Sequence, residues 1–145
     1  MNKQKLFNIL LIVLPAVAVS MALSGNSVTI FDKVANTTVY QSYFDLLPAG
    51  TVTMATVLAG VLVVIADVLA AAYVFLHKQW CVKGVFVTAV ASAFAAEIPV
   101  LMQGDVLVVP NVMVPIAMLV VTLMAYARIK IPDQKQEKKQ RLNRK

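Results

Sequence analysis

Apolar residues in this chain gather into four long runs, at about 6–23, 51–76, 84–102 and 111–127, and the polar residues fall between them. The second run, TVTMATVLAGVLVVIADVLAAAYVFL from Thr51 to Leu76, contains no Lys, Arg or Pro and one carboxylate, Asp67, near its middle. As a helix it would be about 39 Å long, against the roughly 30 Å hydrocarbon slab of a bilayer. It predicts a membrane span with room to tilt.

The other runs extend the pattern. LFNILLIVLPAVAVSMAL follows Lys3 and Lys5 and is just long enough to span. A basic leader, an apolar stretch and the small residues Ser20, Ala22 and Ser24 also suit a signal peptide over residues 1–24. An uncleaved first helix is the expectation; cleavage would leave three spans. GVFVTAVASAFAAEIPVLM carries four-residue rows of small side chains, Ala89 with Ala93 and Ser92 with Ala96. Such rows let helix backbones approach where lipid offers no hydrophobic drive, so this helix is expected to pack on Gly60, Ala70 and Ala71 of the second. The fourth run is expected to be capped by Asn111 and to stop at Arg128, a short span of about 25 Å.

Between the first two runs, residues 25–50 form the longest polar segment. The alternation Val28-Thr29-Ile30-Phe31 and the β-branched TTVY stretch suggest a short β-hairpin around Asp32–Asn36. Tyr40, Tyr43 and Phe44, and Trp80 in the turn HKQWCVK, read as interfacial anchors, because their rings favour headgroup depth.

Composition agrees with the pattern. The chain is 60% hydrophobic and 14% charged, whereas soluble domains carry about 25% charge. Its net +6 is not spread as a nucleic-acid face would need. Twelve of its thirteen Lys and Arg residues flank the runs on one alternating side: Lys3 and Lys5, Lys78 and Lys83, then Arg128 onward. The positive-inside rule therefore predicts an all-α integral membrane protein, a four-helix bundle of residues 1–127, with both termini cytoplasmic and residues 25–50 as an outer loop. Residues 128–145 hold Arg128, Lys130, Lys135, Lys138, Lys139, Arg141, Arg144 and Lys145 and too few apolar side chains to fold. This tail is expected to be disordered and to meet anionic lipid headgroups.

Little reactive chemistry is present. One cysteine, Cys81, and one histidine, His77, cannot build a disulfide or the usual metal clusters. The chain lacks G-x-S-x-G, H-E-x-x-H and glycine-rich phosphate loops, so neither an enzyme nor a cofactor or metal protein is expected. Asp67 and Glu97 are the acids at membrane depth. Antiparallel neighbours are expected to bring them to similar heights, where a shared dry site would favour proton or cation handling. The plainer alternative bonds each within the bundle, to Thr88, Ser92, Thr122 or Tyr73. The leading functional expectation is a non-enzymatic accessory or scaffold subunit of a bacterial plasma membrane, contacting a membrane-protein partner or a second copy. A proton- or cation-coupled transporter using Asp67 and Glu97 is one alternative, and a holin-like pore-former is another.

Overall fold

The computed structural model describes residues 3–32, 36–45, 51–103 and 109–130. The elements in chain order are α1 Lys3–Leu23, β1 Val28–Asp32, β2 Thr37–Gln41, α2 Thr51–Leu76, α3 Gln79–Gln103 and α4 Val109–Lys130. All four helices are long and apolar enough to cross a membrane. Each packs on its chain neighbours, and α4 closes the ring against α1. Large apolar side chains cover the outside; Phe75 is 84% exposed and Phe94 73%. Water would not tolerate such a belt, so the exterior, like the helix lengths, suits a multi-pass membrane protein.

The helices begin and end where backbone chemistry, rather than hydropathy alone, allows. The α3 helix starts at Gln79, five residues before the apolar run, so Trp80 and Lys83 are helical and the α2–α3 connection is only His77 and Lys78. His77 makes this tight reversal with φ 50° and donates its N–H to the Tyr73 carbonyl at 2.8 Å, closing the end of α2. The α4 helix starts at Val109, which places Asn111 inside it rather than at its cap, and runs on to Lys130. Arg128 and Lys130 thus lie in its last turn, where the helix dipole favours cations. The Gly104-Asp105 turn and residues 131–145, including Lys135, Lys138, Lys139, Arg141, Arg144 and Lys145, lie outside the described residues.

Each helix buries a seam with three- and four-residue spacing. On α1 it is Leu11, Pro15, Ala18 and Ala22; on α2, Ala59, Val63, Ala66, Ala70 and Tyr73. On α3 it is Val85, Ala89, Ser92 and Ala96, and on α4, Val114, Met118, Val121, Ala125 and Arg128. That spacing is the one coiled-coil-like packing uses in membrane bundles, and alanine-rich seams let backbones come close. Two expected packing residues lie elsewhere. Gly60 faces the loop, where a Cβ would stand 3.1 Å from the Phe44 ring and from Tyr43 Cβ, and Ala71 is only half-buried beside the seam.

The hairpin between α1 and α2 is antiparallel, with Val28 opposite Gln41 and Asp32 opposite Thr37. Asn36 sits at its turn with φ 50°, a left-handed conformation that Asn tolerates. The strand β1 leans on α4. Ser27 ties the hairpin to α1: its hydroxyl donates toward the Ser24 carbonyl at 2.7 Å and toward that of Ala22 at 3.2 Å, occupying carbonyls the helix end leaves open.

Candidate functional site

The α2–α3 register decides what the two deep carboxylates can do. The Ser92 hydroxyl donates to the Ala59 carbonyl at 3.0 Å across the seam. Nearer the turn, eight residues along α3 and ten along α2, a Cβ on Gly84 would meet Leu69 Cδ1 at 2.8 Å, so Gly84 and Leu69 oppose one another. This register sets Asp67 opposite Gly84–Phe86 and Glu97 opposite Met54–Thr56. The acids are therefore about twelve residues, or roughly 18 Å, apart along the bundle axis. The expectation of a shared site is corrected: α3 begins at Gln79, so Glu97 stands farther from the turn than a count from Gly84 implies.

The hydroxyls proposed as partners are also engaged elsewhere. Thr88 donates to the Gly84 carbonyl at 2.9 Å and Thr122 to that of Met118 at 2.8 Å, the local back-bonding usual for hydroxyls in apolar helices. Ser92 is committed to Ala59, and Tyr73 accepts from Arg128. Asp67 and Glu97 are both half-buried. No group of His, Cys, Asp and Glu suited to a metal ion occurs among the described residues. Cys81 is fully buried, which removes it as a surface thiol.

Glu97 opens on a cleft of about 320 Å³ between α3 and α4, lined otherwise by Val90, Ala93, Phe94, Pro115 and Leu119. Tyr43 stands close to this carboxylate. A tight turn carries it there: the Ser42 N–H donates to Asp45 Oδ2 at 2.7 Å, the Phe44 N–H to Ser42 Oγ at 3.2 Å, and the Tyr43 N–H to the Ala22 carbonyl at 3.0 Å. Tyr43 is only 1% exposed. Burial first, and the Glu97 charge second, push its hydroxyl well above the ordinary tyrosine range, so it keeps its proton. Tyr43 is thus a core residue and not an interfacial anchor, while Phe44 is half-buried over Gly60. Tyr40 and Trp80 are exposed, at opposite ends of the bundle.

The second polar centre is one the sequence reading missed. Arg128, assigned to the lipid-facing tail, is only 4% exposed. Its Nε donates to Asn8 Oδ1 at 3.1 Å and its Nη2 to the Tyr73 hydroxyl at 2.5 Å, with the guanidinium carbon 5.4 Å from the centre of the Tyr73 ring. Three helices meet in this latch. A buried guanidinium is costly unless its donors are met, and the planar fork meets two partners at once. The signal was present in the spacing: Arg128 continues the series Val114, Met118, Val121, Ala125 by one more three-residue step. Lys130, by contrast, stays exposed, with its Nζ 5.1 Å from the Tyr126 ring centre.

Comparison with protein-family models, curated proteins and solved structures returns no match for this chain. Its functional reading therefore rests on these two centres and the surfaces around them.

Proposed function

We propose that this chain is a non-enzymatic accessory or scaffold protein of a bacterial plasma membrane, with both termini and the His77–Lys78 turn cytoplasmic and the hairpin outside. The observation that carries the reading is the separation of Asp67 from Glu97, about 18 Å along the axis in a register held by Ser92. Two acids at different depths, divided by alanine and valine packing, do not form a dyad. The small-residue rows are buried within the bundle, so a partner would meet the exposed hairpin edge, Thr37, Thr38 and Tyr40. The basic tail would lie on anionic lipid and help fix the orientation.

The test is photo-crosslinking in cells from a benzophenone amino acid placed at Tyr40, with proteoliposome flux measured in parallel. A single reproducible, stoichiometric adduct and vesicles tight to protons and cations are expected. Absence of any adduct, together with a monomer in native detergent extracts, would defeat the scaffold reading. Proton or cation flux abolished by Asp67→Asn would favour transport instead, the reading supported by a half-buried carboxylate in mid-span.

A further inference from the structure

We propose that the α3–α4 cleft is a binding site for a membrane-dissolved amphiphile with an ammonium head, the head held by Glu97 and the alkyl chain by the apolar walls. The inference rests on the membrane placement proposed above, and on nothing in the scaffold role.

Size, lining and charge all bear on the occupant. The cleft, about 320 Å³, falls at the lower end of the range of roughly 300–1,000 Å³ typical of small-molecule sites. Five of its six lining residues are apolar, and the sixth is a carboxylate. Phe94 at the rim is 73% exposed and Leu119 is also exposed, so the mouth opens sideways from the bundle, toward lipid rather than along the axis. Ala93, nearly buried, leaves room at the floor.

Glu97 offers the cleft an acceptor, with the protonated Tyr43 hydroxyl close by. Pro115, across the cleft from Glu97, has no N–H to give the carbonyl of Asn111 one turn earlier. Lys5, Lys78, Lys83, Arg128 and Lys130, the cations whose side chains are described, all lie toward the opposite end of the bundle. Lys83, on the same helix, is fourteen residues from Glu97, about 21 Å by helical rise. A carboxylate facing hydrocarbon gains most from a ligand that brings both a positive charge and N–H donors. An ammonium head on an alkyl chain supplies both and reaches the cleft by lateral diffusion. Sulfate or phosphate heads would be repelled, and a water-soluble ammonium ion would have to leave water to arrive.

The test uses the full chain in phosphatidylcholine vesicles, with incorporation checked by flotation so that failure to enter the membrane is distinguished from an inactive cleft. The probes are hexadecylammonium and hexadecanol, each with a nitroxide on the chain, and the readout is the motionally restricted fraction in the spin-label spectrum. The protein is expected to retain the ammonium probe about tenfold more strongly than the alcohol. Glu97→Gln is expected to lower the ammonium probe to the level of the alcohol without changing the alcohol, and Leu119→Trp, at an exposed position, to displace both. Equal retention of the two probes by the unaltered protein would overturn the proposal. So would an ammonium preference that survives Glu97→Gln, retention that survives Leu119→Trp, or competition by ethylammonium in the water phase.

Discussion

The hydroxyl of Ser92 donates to the backbone carbonyl of Ala59, thirty-three residues away, at 3.0 Å. Both residues are fully buried, so the bond acts as a pin between two alanine-lined surfaces that would otherwise slide. Hydrogen bonds between membrane helices contribute about 0.6 kcal/mol on average and up to about 1.7. Ser92→Ala should therefore cost about 1 kcal/mol in a reversible bicelle unfolding assay. Ser92→Leu should cost more, because the seam has no space for it.

The same pin predicts that the two acids act independently. Residues roughly 18 Å apart with no shared partner have additive effects, within about 0.5 kcal/mol. The stability changes of Asp67→Asn and Glu97→Gln should thus sum in the double variant. A coupling well above that value would mean that the carboxylates sense one another and that the register is different.

Arg128 and Tyr73 form the second relationship with consequences. Tyr73→Phe leaves the ring beneath the guanidinium and removes only the hydroxyl, so its cost should be about 1–3 kcal/mol, the range for a buried group left without its partner. Arg128→Lys should not restore the loss, because an ammonium cannot present a planar fork to Asn8 and Tyr73 together. Equal stability of Arg128→Lys and the unaltered protein would show that the latch is replaceable by a point charge.

The spans were legible in the sequence because membrane helices are selected by length and hydropathy, which are local quantities. The hairpin, too, could be read from the alternation at Val28–Phe31 and the β-branched run at Thr37–Tyr40. Depth and direction were not. Arg128 looks like the start of a basic tail until α4 is continued by one turn, and Tyr43 looks like an anchor until the Ser42–Asp45 turn directs its ring inward. The relative height of Asp67 and Glu97 depended on where α3 begins, and Gln79-Trp80-Cys81 carries no hydropathy signal for a helix start. These are properties of how helices meet.

The two described glycines in helices should respond differently to a methyl group. At Gly84 the added Cβ meets the mobile end of Leu69, 2.8 Å from Cδ1, and a rotamer change relieves it. Gly84→Ala should be neutral to within about 1 kcal/mol, helped by alanine's higher helix propensity. At Gly60 the Cβ presses on the Phe44 ring and on Tyr43 Cβ, both at 3.1 Å, and Tyr43 is held by its own backbone bond to Ala22. Gly60→Ala should cost about 1–3 kcal/mol and loosen the hairpin. Faster hydrogen exchange at the Tyr43 amide would report that loosening.

Tyr43 also gives the protein an alkaline limit. Its hydroxyl is raised above the ordinary value of 10.0, by burial and then by the Glu97 charge, so the unfolded chain ionises first as pH rises. Stability from this group is complete below pH 10 and falls above it, by about 1 kcal/mol at pH 11. Lysines titrate in the same range, so the informative quantity is the difference between the unaltered protein and Tyr43→Phe. The variant should lose less stability between pH 9 and pH 11 in detergent thermal melts. Glu97→Gln, which removes the smaller of the two causes, should fall between them. Parallel curves for all three proteins would show that the Tyr43 hydroxyl ionises as freely folded as unfolded, and its place in the core would have to be abandoned.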